Sequence, residues 1–390
     1  MTASHRIMLG ALIGVLGFAA PVLAQVKDEK IGFITTLSTP AGYIGEDIRD
    51  AFKLAIKDGK LGNTRVTLEI EDDALKPATG KQAVDRMLQS GVRLYTGVNF
   101  SNVLGAVLPS VLEAGGIYVS VNPGPSTFAG EKCNKNYYVV SYQNDAFHEA
   151  AGLAANDLGY EKVVLLAPNY QAGRDALEGF KRQFKGQVIE EIYTKLDQTD
   201  FSVELARVRS LAPNAIYQFH PGGAGINFAK QYANAGLAGS IPMLVPTFSM
   251  DTRMVAATGN VAEGILAVGT WSPELDVPES KAFVEAFKAA YNRVPTLYAA
   301  QAYDAARLIA KGLDAANGDV SKVDDFRKAV LKADFASVRG AFAFDKNQHP
   351  IQDFYVFKTQ KDASGALVQT PVKKVVANFK DSYAARCPLN

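Results

Sequence analysis

The chain has 390 residues, enough for two domains rather than one. With 48 % apolar and 21 % charged residues it has the composition of a globular protein, which excludes a disordered or fibrous chain. A net charge of +1 leaves no electrostatic case for nucleic-acid binding, and no heptad, short repeat or low-complexity tract stands out.

His5 and Arg6 precede an apolar run from Ile7 to Leu16 that continues to Phe18. It exits through Pro21-Val22-Leu23-Ala24-Gln25, a small-x-small cleavage pattern. This reads as a secretory signal peptide over residues 1–24, cut after Ala24. The alternative is an uncleaved anchor, but an apolar run of about 16 residues is short for a membrane span. The mature chain is therefore expected to be soluble and exported. In such a chain Cys133 and Cys387 invite a disulfide that ties the tail to the body; two distant free thiols are the other reading.

Lys30–Leu37 reads as a first strand, followed by the loop Ser38–Gly45 and a helix over 46–58 with Ile48, Ala51, Phe52 and Ile56 on one face. Tyr43 falls in that helix-opening loop. Arg65–Asp72 is a second strand, and its acidic end Glu71-Asp72-Asp73 reads as a strand exit or helix cap rather than a metal site. Lys76–Gln89 is a helix stopped by Ser90-Gly91.

The stretch Leu94–Ser126 is strand, helix, strand: Leu94–Val98, Val103–Ala114 and Ile117–Val121, with Gly115-Gly116 closing the helix. Parallel strands send both ends to one edge of the sheet, where ligands of open α/β folds sit. Its two strand-end loops are thus walls of one pocket. The first supplies Asn99, Phe100 and Ser101; the second supplies Asn122, Pro123, Gly124 and Ser126.

Asn136–Ser141 is strand-like with no helix before it and reads as a crossing to a second domain. A second series follows: helix 147–156, strand Lys162–Ala167, helix Arg174–Phe184, strand Gln187–Tyr193, helix Phe201–Ser210, strand Ala215–Phe219, helix Ile226–Asn234 and strand Pro242–Val245. Its strand-end loops carry Tyr170, His220 and Phe248. Gly264–Gly269 leads to Trp271, a second crossing. Helices Ser280–Tyr291, Thr296–Asn317 and Val323–Ala333 come next, then a β pattern over Phe335–Phe344 and strands Asp353–Thr359 and Val372–Val376. Crossings near 141, 271 and 350 divide the mature chain into 25–141 and 272–350 in lobe 1, and 142–271 with the strands and tail of 351–390 in lobe 2. The expected fold is α/β, two Rossmann-like lobes with parallel sheets joined by a three-strand hinge.

Enzyme signatures are missing. There is no Gly-x-Ser-x-Gly, His-Glu-x-x-His or Walker loop, and the four histidines are scattered. His220-Pro-Gly-Gly looks like an oxyanion-hole loop without a nucleophile elbow; a glycine-rich loop before a helix is the plainer reading. No cofactor is expected.

In order and spacing the chain resembles the periplasmic substrate-binding proteins of branched-chain amino-acid type ABC transporters, the leucine/isoleucine/valine-binding family with the type I periplasmic-binding fold. The matching segments are KIGFITTLSTPAGYIGEDIRDAFKLAI, TGVNFSN, SVNPGPS, LLAPNYQAGRDALEGF, NVAEGILAVGTW and PTLYAAQAYDAARLI. The resemblance implies a monomeric, non-catalytic periplasmic protein that binds a small solute between its lobes and delivers it to an inner-membrane ABC permease.

Amino-acid binders of the family usually carry a Ser-Pro-x-Ala-Thr run after the strand that here ends in Ser120-Val121-Asn122-Pro123-Gly124-Pro125-Ser126. They also tend to offer a carboxylate to the ligand ammonium, where this chain has His220 and Phe248-Ser249 and no acid before Asp251. The pattern is similar to the branch that binds aromatic carboxylates, benzoates or hydroxycinnamates. Binding of branched-chain amino acids or short amides is the alternative.

The residues fit an aromatic acid on their own terms. Helix-opening loops present unpaired N–H groups and a positive dipole end to a carboxylate. Ser101 and Ser126 add hydroxyl donors, and Gly124 admits close backbone approach. Tyr43, Phe100, Tyr170, Phe248 and Trp271 are candidate ring walls, with His220 for a ring hydroxyl. Phe100 and Phe248 are alternatively core residues, Trp271 hinge packing, and His220 part of a surface turn.

Overall fold

The computed structural model describes Met1 and residues 28–389. The expected signal peptide lies outside the described residues. The fold is mixed α/β in two lobes.

Lobe 1 opens with β1 (Glu29–Thr35), α1 (Gly42–Ala55), β2 (Lys60–Leu61), β3 (Thr64–Asp72) and α2 (Pro77–Gln89). It continues with β4 (Leu94–Thr96), α3 (Ser101–Glu113), β5 (Ile117–Ser120) and β6 (Tyr137–Val139). The sheet order is β2-β3-β1-β4-β5-β6, parallel except for the short β2–β3 hairpin. Amphipathic spacing explains the helices: Ile44, Ile48, Ala51 and Phe52 of α1 are buried, as are Val103, Leu104, Val107, Leu108 and Val111 of α3.

Lobe 2 contains α4 (Asn144–Asp157), β7 (Lys162–Pro168), α5 (Gln171–Gln183), β8 (Gln187–Thr194) and α6 (Ser202–Leu211). Then come β9 (Ala215–Gln218), α7 (Gly222–Asn234), β10 (Met243–Pro246), α8 (Thr252–Thr258) and β11 (Leu266–Gly269). Next, α9 (Pro278–Tyr291), α10 (Leu297–Ala315) and α11 (Val323–Lys332) return to lobe 1, where α9 and α10 pack on α1. Finally β12 (Ala343–Phe344), β13 (Pro350–Lys361) and β14 (Leu367–Phe379) complete the second sheet, in the order β12-β13-β11-β10-β9-β7-β8 with β14 on β13.

Three details differ from expectation. The strand-like run at 136–141 is not itself a passage between lobes; Tyr137–Val139 pairs in parallel with β5 as the last strand of the first sheet. The second sheet is not wholly parallel, because β13 and β14 form an antiparallel hairpin. Its turn is set by Asp362, whose Oδ1 accepts the Ser364 and Ala366 N–H groups. Of the β pattern over 335–344 only Ala343–Phe344 forms a strand, paired with the start of β13.

Cys133 and Cys387 are joined in a disulfide with their Cα atoms 5.7 Å apart. Among the described residues no helix is long and apolar enough to cross a membrane, and no cluster of His, Cys, Asp or Glu is placed to hold a metal ion.

Candidate functional site

The strand-end loops of both sheets meet across one cleft. The loops after β4, β5 and β6 contribute from lobe 1, and those after β7, β9 and β10 from lobe 2. This is the sheet edge where parallel α/β folds hold ligands. The loops enclose a cavity that leaves about 20 Å³ of room for the centre of a water molecule.

Seven of the sequence candidates line it. Asn99, Phe100 and Ser101 come from the loop after β4; Asn122 and Pro123 from the loop after β5; Tyr170 and Phe248 from lobe 2. Two asparagines are spent on shaping the walls. The Asn122 amide donates to the Asn99 carbonyl at 2.6 Å and accepts from the Tyr142 hydroxyl at 2.9 Å. The Asn99 amide, oriented so that both its ends are satisfied, donates to the Gly97 carbonyl and accepts from the Gly45 N–H, tying its loop to α1.

The other candidates lie elsewhere. Gly124 is a support: its N–H donates to Asn144 Oδ1 at 2.9 Å, and a Cβ there would lie 2.1 Å from the Tyr142 carbonyl oxygen. Ser126 donates to Asp175 Oδ1 at 2.6 Å behind the cavity. Tyr43 reaches across the cleft to Asp251. His220 turns into the lobe 2 core between the rings of Phe201 and Phe228, with Gln218 and Thr194 on its two nitrogens. Trp271 is buried against Phe283 and donates to the Ser280 hydroxyl.

Tyr142, Asn144 and His148, along with Phe219 and Tyr298, also line the cavity and are not among the sequence candidates. The first two follow β6, and the strand-end argument applied to 137–139 finds them. His148 lies one turn further along α4 on the same side as Asn144. Its Nδ1 is paired with the Tyr217 hydroxyl, while Nε2 has no hydrogen-bond partner among the described residues. Burial pushes its pKa down to about 3, so the ring is neutral.

The walls are aromatic. Tyr142 stacks on Phe248 at 5.3 Å, Tyr170 on Phe219 at 6.2 Å, and Phe100 tilts toward Tyr170 at 6.5 Å. The polar end lies where α3 and α5 begin. Ser101 and Ala172 line the cavity from their first turns, where backbone N–H groups have no helical acceptor. The Ser101 hydroxyl accepts from Asn144 Nδ2 at 3.1 Å and keeps its own proton to donate. Asp175 accepts from the same Asn144 amide at 2.8 Å and holds it in place.

Among the described residues no Asp, Glu, Lys or Arg lines the cavity. Asp251, the first acid after Phe248, has both oxygens occupied: Oδ1 caps α8 through the Arg253 and Met254 N–H groups, and Oδ2 accepts from Tyr43 at 2.6 Å. Burial, with Asp47 nearby, raises its pKa to about 7 against those hydrogen bonds. Neither Ser101 nor Ser126 is hydrogen-bonded to a histidine.

Two α/β lobes around an enclosed cleft at their strand ends define the architecture of a two-lobed solute-binding protein. The chain belongs to the periplasmic binding protein family, whose model matches residues 29–365. It is of the type that serves ABC transporters, working with membrane permeases, and the family is not one of enzymes. The chain is 28 % identical over 373 residues to Leu/Ile/Val-binding protein homolog 6 of Brucella melitensis, covering 91 % of this chain and 94 % of that one. A benzoate-bound solute-binding protein of an ABC transporter from R. palustris superposes with a TM-score of 0.86 at 29 % identity, over 92 % of this chain and 99 % of its own. One from Rhodopseudomonas palustris BisB5 with 3,4-dihydroxybenzoic acid gives 0.83 at 26 % identity, over 91 % and 99 %.

Proposed function

We propose that this protein captures a small aromatic carboxylate of benzoate or hydroxycinnamate type in the periplasm and delivers it to an ABC permease in the inner membrane. The observation that carries this reading is the cavity lining: rings on the walls, helix N-termini and a serine at one end, and no charged side chain. A carboxylate is satisfied by N–H and O–H donors with the positive ends of two helix dipoles. The apolar body of the ligand is matched by Tyr170, Phe219 and Phe248. The benzoate-bound relatives support the same choice.

The second reading is a branched-chain amino acid, favoured by the name of the Brucella relative. An α-ammonium group buried in this cavity has no carboxylate to pair with, and an unpaired buried charge costs several kcal/mol.

The mechanism is hinge closure. The ligand docks on one lobe, and contact with the other shifts the population to the closed form, whose outer face the permease reads. The segments between β6 and α4, between β11 and α9, and between α11 and β13 serve as the hinge. A thermal-shift screen with benzoates, hydroxycinnamates and branched-chain amino acids tests the proposal. Stabilisation by aromatic acids is the expected result; stabilisation by leucine or valine with none by aromatic acids refutes it.

A further inference from the structure

A second, larger compartment adjoins the cavity. Phe100 and Pro221 line both. The inner one gives the centre of a water molecule about 20 Å³, the outer about 470 Å³. Lobe 1 supplies Pro40 and Ala41 after β1, and Ala74 and Leu75 after β3; lobe 2 supplies Leu196 after β8 and Ala224 on α7. These residues give apolar stretches of wall, and Thr39, Lys76, Asp197, Gln198, Thr199 and Asn227 stand among them as polar groups.

Two features show that the compartment is held in shape. Ala74 and Leu75 have φ values of 49° and 62°, which residues with a Cβ rarely adopt. The acidic strand exit holds them there: Asp72 Oδ1 accepts the Ala74 N–H and Asp73 Oδ1 the Leu75 N–H, each at 2.8 Å. At its edge the lobes meet through glycine. A Cβ on Gly222 would lie 3.0 Å from that of Ala41, and one on Gly223 3.1 Å from that of Pro40. The compartment is therefore complete only when the lobes are together.

We infer that the outer compartment is a second subsite, which takes the distal part of an aromatic acid longer than benzoate, of hydroxycinnamate length. The inference rests on the aromatic-carboxylate reading above. The carboxyl-bearing end occupies the inner cavity. The chain passes Phe100, and the far end lies against the apolar walls, with the Asn227 amide available to a polar substituent.

The test fills the outer compartment from each lobe in turn, with Asn227→Trp and Lys76→Trp, and titrates benzoate and 4-hydroxycinnamate calorimetrically into both variants and the wild type. Lys76 is exposed and Asn227 half-buried, so neither change disturbs the core. The expected result is a loss of about tenfold or more in affinity for 4-hydroxycinnamate with benzoate changed by less than about threefold. Equal losses for both acids, or no loss for either, overturn the inference and leave the compartment a solvent-filled entrance. Wild-type binding of benzoate but not of 4-hydroxycinnamate also overturns it, with the aromatic reading intact. Binding of neither acid, with leucine bound, removes both. Two plugs on opposite lobes keep the test decisive if one variant fails to fold.

Discussion

The Tyr43 hydroxyl on α1 donates to Asp251 Oδ2 at the start of α8, 2.6 Å away and on the other lobe. The Arg253 guanidinium lies over the Tyr43 ring at 5.2 Å and pairs with Glu46 at 3.0 Å, so one patch of lobe 2 grips the first turns of α1. On the hinge-closure proposal these contacts form as the cleft closes. Tyr43→Phe removes one hydrogen bond to an acid, worth about 1.5–3 kcal/mol when the acid is ionised. The ligand Kd is expected to rise about tenfold with the melting temperature of the ligand-free protein unchanged. Calorimetry checks the first and a thermal melt the second; an unchanged Kd removes Tyr43 from the closing contact.

Closure is expected also to take up a proton. An open, solvated Asp251 has an ordinary carboxylate pKa of about 3.9, and burial in the closed form raises it to about 7. Its contribution to the closed form is complete below the ordinary value and is lost as the pH rises through about 7. Affinity should therefore strengthen from pH 8 to pH 5, by at most about a decade per pH unit. Asp145, raised to about 6 by burial and Asp175, acts in the same direction on folding. Asp251→Asn separates the two, and its binding should lose the inflection near 7. His148 contributes nothing in this window, since its pKa of about 3 keeps it neutral. Affinity that falls on acidification contradicts the assignment.

Ser101→Ala deletes a donor at the start of α3 without removing a helix cap, since the preceding Phe100 supplies no side-chain bond. A hydrogen bond to a carboxylate is worth about 1.5–3 kcal/mol, so Kd should weaken by roughly ten- to a hundredfold. A change of less than about twofold places the carboxylate elsewhere.

The disulfide spans 254 residues of sequence. Cys133→Ala with Cys387→Ala should cost about 2–4 kcal/mol of stability in denaturant titration. Neither cysteine lines the cavity, so ligand affinity should stay within about twofold. An affinity loss would mean that the tail controls closure.

The β–α–β unit from Leu94 to Ser120 was legible because its helix, its glycine stop and its strand ends are encoded within one short stretch. The pocket loops followed from it, since the edge a parallel strand points to depends on topology alone. What a side chain does in such a loop depends on neighbours far away in sequence. His220 has the loop position of a pocket residue, but partners at Thr194 and Gln218 draw it into the core. His148 has the position of an ordinary helix residue, but α4 starts at Asn144, where the Gln143 side chain accepts from the Ala146 N–H, and this sets the face it shows to the cleft. Tyr43 stands in a helix-opening loop by sequence, yet its partner lies 208 residues away. The orientation of the lobes decides such pairings, and no local pattern carries it.

The central claim is that the cleft accepts a carboxylate attached to a ring and refuses an ammonium beside it. Its most direct measurement is a pair of calorimetric titrations with 3-phenylpropanoate and phenylalanine, which share a carbon skeleton and differ by the α-ammonium group. 3-Phenylpropanoate is expected to bind at least about a hundredfold more tightly, the size of an unpaired buried charge. Equal affinity, or tighter binding of phenylalanine, would contradict it.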